Sequence, residues 1–186
     1  MVYPTESSGQ DWTEEVLRFW FAELQPDDWF RFDRRIDAMI RQRFLAVHAT
    51  LAGSSSAASN PRQALAEVVV LDQFSRNIFR GTPAAYASDE AALRMARAAV
   101  AAGFDASLSL AERQFLYMPF LHSEDRAAQR QSVDLFAMLE PGQLKYAEQH
   151  RATIERFGRF PHRNAILGRV STPEEIEYLR SAPRFV

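Results

Sequence analysis

Apolar residues recur three and four positions apart along nearly the whole chain. Trp12, Val16, Leu17, Trp20 and Phe21 form the first series, and this spacing puts them on one face of a helix reaching about Leu24. Asp11, with Glu14 three residues on, has the spacing of a capping box. Pro26, Asp27 and Asp28 interrupt the pattern, after which Trp29 and Phe30 lead into a second amphipathic helix through Ile36, Met39, Ile40, Phe44, Val47 and Leu51. His48 falls within that helix as a partly buried packing residue. The serine- and alanine-rich run after Gly53 predicts a mobile loop over 53–60, and residues 1–10 predict a frayed end.

Asn60 as cap and Pro61 at the first helical position start a third helix, which runs without a stop signal to Gly81, Thr82 and Pro83. Ser88, before Asp89 and Glu90, caps a fourth helix that carries Ala92, Leu93, Ala96 and Ala99 and closes at Gly103. Ser109 with Glu112 forms another capping box, opening a helix through Phe115, Leu116 and Tyr117 that meets Pro119; the missing backbone donor there predicts a break or kink. Ser123 is the expected cap of the next helix, Glu124 to about Leu139. Pro141 and Gly142 then separate it from a helix of roughly Gln143 to Phe157, ended by Gly158. Thr172, Pro173 and Glu175 supply cap, first position and box partner for a short final helix.

No alternating stretch of β-branched residues is long enough to predict a strand. The fold class is therefore all-α: one domain over residues 1–186, built of antiparallel helical hairpins that form either a bundle or a superhelical stack.

Composition narrows the chemistry. In 186 residues with 47% hydrophobic content there is material for a full core. The 22 basic and 24 acidic residues leave a net charge of -2, which gives no reason to expect a nucleic-acid or anionic-membrane partner. No stretch approaches the roughly 18 apolar residues of a membrane span, and a cytoplasmic location is expected. The absence of cysteine removes thiol nucleophiles, thiolate metal sites and disulfides.

Candidate chemistry gathers in polar knots. The first is Leu71 to Gly81, LDQFSRNIFRG, where Asp72, Gln73, Arg76, Asn77 and Arg80 fall within an arc of about 140° at 100° per residue. That face is apolar upstream, at Val69 and Leu65, and polar downstream, which predicts a pocket edge. The second knot is Tyr117 to Asp125, with His122 and Glu124 flanking Ser123 at a helix mouth. The third is Arg156 to Asn164, RFGRFPHRN, bringing Arg159, His162, Arg163 and Asn164 into a turn rich in glycine and proline.

Three functions suit these residues, a binding module first and the other two as alternatives. In a binding module, Arg76, Arg80, Arg159 and Arg163 would offer fork-shaped donors to an anionic small molecule or a peptide carboxylate, with Gln73, Asn77 and Asn164 reading neutral polar groups. In a hydrolytic enzyme, His122 or His162 would be the general base, oriented by Asp72 or Glu124. In a protein-protein interaction scaffold, the knots would only tie helices together. A metal site using His122, Glu124 and His150 or His162 lacks ligand spacing, so no metal or cofactor is expected.

The same knots carry a family resemblance. Phe19-Trp20-Phe21, Trp29-Phe30, Leu71 to Asn77 with Arg80-Gly81, Pro119-Phe120 with His122-Ser123-Glu124 and Gln129, and Arg156 to Asn164 with Leu167-Gly168-Arg169 resemble the bacterial domain-of-unknown-function family nine-two-four. The resemblance implies a tetratricopeptide-like helical fold and no established activity. The chain departs from the family pattern at Ser75, where many members have proline, and in the loop before Asn60, which lacks a tryptophan.

Overall fold

The computed structural model describes residues 11–54 and 58–181. The predicted frayed end at 1–10 lies outside these, as do residues 55–57 of the predicted mobile loop. Among the described residues every regular element is helical. The helices are α1 (Asp11–Arg18), α2 (Pro26–Trp29), α3 (Arg34–Ala52), α4 (Pro61–Val68), α5 (Ser75–Ile78), α6 (Asp89–Ala101), α7 (Leu110–His122), α8 (Arg126–Phe136), α9 (Leu144–Phe157) and α10 (Pro173–Ser181).

Two of these run on into π-helical turns. Phe19–Glu23 extends α1, and Val69–Phe74 joins α4 to α5 without interruption, so the third predicted helix exists as one rod with a wider turn inside it. In such a turn each N–H reaches one residue further back than in an α-helix. The side chains that follow are therefore rotated from the positions a uniform 100° step assigns.

One apolar cluster joins residues from Val16 to Ala147. Its centre is aromatic: Phe115 of α7 meets Trp20 and Trp29 edge-on at 5.3 and 4.9 Å between ring centres, and Phe74 stacks at a tilt on Phe44 of α3 at 4.8 Å. The Trp29 indole donates to the Trp20 carbonyl at 2.8 Å, filling an acceptor that the last turn of the first helix leaves open. From α6 to α9 each helix packs on the next, and the α4–α5 rod lies against α1, α3 and α6.

Several predicted caps are present. Asn60 accepts from the Gln63 N–H, Ser109 and Glu112 bond reciprocally, as do Thr172 and Glu175, and Gly158 ends α9 with φ of 69°. The capping role of the Asp11 side chain falls outside the described atoms. Other expectations are corrected. Helix α7 is not broken at Pro119 but continues to His122; the flanking core holds the turn together around the missing donor. Asp125, not Ser123, caps α8, accepting from the Ala128 N–H, while Ser123 accepts from the Asp125 N–H. Ser88 makes no side-chain cap; its hydroxyl lies 3.3 Å from His48 Nε2, which is also 2.7 Å from the Ser75 hydroxyl. Ser75 gives its own proton to the Leu71 carbonyl, so it accepts from His48.

Candidate functional site

Asp72, in the α4–α5 rod, has no solvent exposure. It lies in the π turn, which swings it inward while leaving Arg76 one turn beyond to reach back to its main-chain carbonyl. Both carboxylate oxygens stand within hydrogen-bond reach of His122 Nδ1, at 2.8 and 2.9 Å, and Gln73 Nε2 donates to Oδ2 at 2.6 Å. Arg76 Nη1 is 3.3 Å from Oδ1.

His122 is presented by the end of α7. A helix end leaves its last carbonyls without intrahelical donors, and here other chain segments provide them. The Gln129 amide of α8 donates to the carbonyls of Leu121 and Ser123 at 2.8 and 2.7 Å, with that of Phe120 at 3.3 Å. Arg163 Nη2 takes the His122 carbonyl at 2.8 Å. The imidazole is thereby fixed from its backbone and from Nδ1.

Arg163 belongs to a 3-10 turn, Pro161–Arg163. Its Nη1 donates to Asp89 Oδ2 at 3.0 Å, and Asp89, the first residue of α6, also holds Arg76 at 3.1 and 3.3 Å. Asp72, Arg76, Asp89, Arg163 and His122 thus form a closed ring of ion pairs and hydrogen bonds. Tyr86 and Phe160 cover the Arg163 guanidinium, with ring centres at 4.7 and 4.8 Å, a cation–π arrangement in which an arginine is held away from water.

Burial opposes ionisation of Asp72, but Arg76 and His122, with hydrogen bonds from His122 and Gln73, hold its carboxyl well below the usual range. Burial pushes His122 down, and Arg76 adds to that push against the opposing charge of Asp72. Burial thus favours the neutral imidazole, and beside a carboxylate its proton belongs on Nδ1, which leaves Nε2 as a lone-pair acceptor. Burial pulls Arg163 down too, countered first by Asp89.

Beside this ring is a cleft of about 320 Å³. Tyr86, Asp89 and Glu90 line one side, His122, Ser123 and Glu124 another, with Arg163 deep in the wall and Pro83, Leu93 and Leu167 among the apolar lining. The His122 side chain is 14% exposed where Asp72 is 0%, so the imidazole is the member of the pair that reaches the cleft. Glu124 accepts from Arg169 through both oxygens, at 2.8 and 3.0 Å, and from the Phe160 N–H at 2.7 Å.

Of the sequence candidates, Asp72, Gln73, Arg76, His122, Glu124 and Arg163 come together here. Asn77 and Arg80 do not: they bond to Asp37 of α3, Arg80 through a two-pronged contact at 2.7 and 2.8 Å. Arg159 and Asn164 turn to Glu175 of α10. His162 is half-buried against the Phe160 ring at 5.5 Å, and burial, with Arg163 next in effect, pushes it down to about 4; burial takes His150 to about 3. No group of three or more His, Asp and Glu side chains among the described residues is placed to hold a metal ion, and no described helix is long and apolar enough to cross a membrane.

Asp89, Tyr86 and Arg169 were not among the candidates. An aspartate at the start of a helix reads as a response to the helix dipole, so its spacing hid Asp89. Tyr86, a lone aromatic in a loop of small residues, was the available signal.

A family model described as "Bacterial protein of unknown function" (DUF924) matches residues 16–182. The solved structure of a protein of unknown function from Agrobacterium tumefaciens is similar, at 39% identity over 91% of this chain and 97% of that one, with a TM-score of 0.83. No functionally curated protein matches. The matched region takes in the whole ring and its cleft, and the chain belongs to the DUF924 family of bacterial proteins.

Proposed function

We propose that the cleft binds a small polar molecule and that His122 acts on it as a general base, in a hydrolytic reaction. The observation that carries this reading is the buried Asp72 carboxylate, 2.8 Å from Nδ1 of a histidine that lines the cleft. Burying a carboxylate and a guanidinium costs several kcal/mol per ion unless the geometry repays it. A pair kept under those terms orients the imidazole and stabilises its protonated form when it takes a proton. In the proposed step a water gives one proton to Nε2 as its oxygen bonds to the ligand's electrophilic carbon or phosphorus; Nδ1 keeps its hydrogen, donated to Asp72, and Nε2 passes its proton to the leaving group as that group's bond to the carbon or phosphorus breaks. A volume of about 320 Å³ suits a small ligand.

Anion capture by free guanidinium groups has less support. Arg76, Arg80, Arg159 and Arg163 each bond to a carboxylate, and Arg163 in the cleft wall has both terminal nitrogens engaged. A fork already occupied has few donors left for a ligand.

Nitrogen NMR of the histidine-labelled protein tests the proton placement without a substrate. The expected signal at pH 7 is a neutral His122 with the proton on Nδ1; a proton on Nε2, or an imidazolium, overturns the proposal. A panel of small esters, amides and phosphoesters tests the reaction. Hydrolysis is expected to fall by at least about 100-fold in His122→Gln, and a wild-type rate in that variant would rule out the assigned base.

A further inference from the structure

We infer that Arg76, which does not line the cleft, is a positioning residue that sets the proton affinity of His122. This rests on the proposed role of His122 but is separable from it. Arg76 stands between two carboxylates, Asp72 at 3.3 Å and Asp89 at 3.1 Å, and Asp72 is the one that holds the imidazole. Its Nη1 is also tied to the Asp72 main chain, so its placement follows the π turn that places the carboxylate. Asp89 is fixed in turn by Arg163, which closes the ring on the His122 carbonyl.

A buried carboxylate beside an imidazole would, alone, favour the imidazolium, because the opposite charge is close and poorly screened. A base already protonated at neutral pH cannot accept a proton. Arg76 offsets that charge at Oδ1, the oxygen that also stands 2.8 Å from Nδ1, so the carboxylate orients the ring by hydrogen bonding without loading it with a proton. Pairing with two carboxylates also keeps Arg76 itself charged despite its burial.

The other charged groups around His122 have been placed. Asp89 at the start of α6 raises its proton affinity. From α9 and the 3-10 turn come His150 and His162, whose protonated forms repel that of His122, together with Arg163; Glu124, two residues after His122, is paired with Arg169. None of these contacts Asp72 as Arg76 does.

The test is a titration of His122 by nitrogen NMR in the wild type, Arg76→Met and Arg80→Met. Arg80→Met is the control, since it removes an arginine from the same stretch of chain whose partner is Asp37. Arg76→Met is expected to raise the His122 midpoint by about one pH unit or more, with Arg80→Met leaving it in place. Should Arg76→Met not fold, Arg76→Gln serves, with the same displacement expected. An unmoved midpoint in a folded Arg76 variant overturns this inference and leaves the general-base reading intact. A wild-type His122 that is already an imidazolium at pH 7 overturns both.

Discussion

Asp72 and Glu175 are both buried carboxylates held by arginine, and they end in different places. Glu175 accepts from Arg159 through both oxygens, at 2.6 and 2.8 Å, from the Thr172 N–H and from the Asn164 amide. Its lone pairs are used within the fold, and the result fastens α10 to the turn after α9. Asp72 is as well satisfied, but one of its donors is an imidazole that also lines the cleft. A knot of this chemistry closes on itself when every donor is fixed and becomes a site when one donor has another face. Asp37, with Asn77 and Arg80, falls with Glu175: its donors are an amide and a guanidinium that have nothing to pass on.

The comparison can be broken by substitution. Asp72→Ala should have the largest effect, a loss of about 3–5 kcal/mol in urea unfolding, because it empties a fully buried site and leaves the half-buried Arg76 with Asp89 as its one carboxylate. Normal stability in that variant would mean that the ring holds nothing together. Glu175→Ala is expected to remove about 0.5–2 kcal/mol, the range for losing a helix cap, while the His122 nitrogen signals stay at their wild-type positions. Displacement of those signals would show that the two knots are coupled, contrary to the distinction drawn here.

Acid sharpens the same point. The hydrogen bond from Arg159 holds the Glu175 carboxyl down at about 2, from an ordinary value of 4.5. A folded-state value below the unfolded one means that the contribution is complete above about 4.5 and is lost as pH falls towards about 2. Wild type and Glu175→Gln should therefore converge in stability across that window; a gap that is constant with pH would assign the effect to packing. Smallest is Arg80→Met, whose side chain is 40% exposed. A loss of about 0.2–1 kcal/mol is expected, and a larger one would move Asp37 out of the class of surface ties.

Much of the architecture was written in local pattern. The start at Asn60-Pro61, the Ser109–Glu112 and Thr172–Glu175 boxes and the end at Gly158 each depend on residues within a few positions of one another, so spacing suffices to read them. Pro119 was misleading because a proline's local effect was overridden by packing around α7. The π turn at Val69–Phe74 left no mark in the pattern, and with it went the assumption that Asp72, Asn77 and Arg80 share one face. Asp72 instead turns inward and Asn77 and Arg80 turn to α3.

The sequence by itself determined the all-helical fold, most helix boundaries and the segments rich in polar chemistry, because periodicity and capping act over one or two turns. Tertiary structure alone decided which carboxylate Arg80, Arg159, Arg163 and Arg169 would take. Those choices join residues far apart in the chain, as Asp89 joins Arg163 and Asp72 joins His122, and a guanidinium fits any carboxylate that packing brings within reach. For that reason Arg159 and Arg76, each an arginine of a polar knot, became a tie and a member of the candidate site.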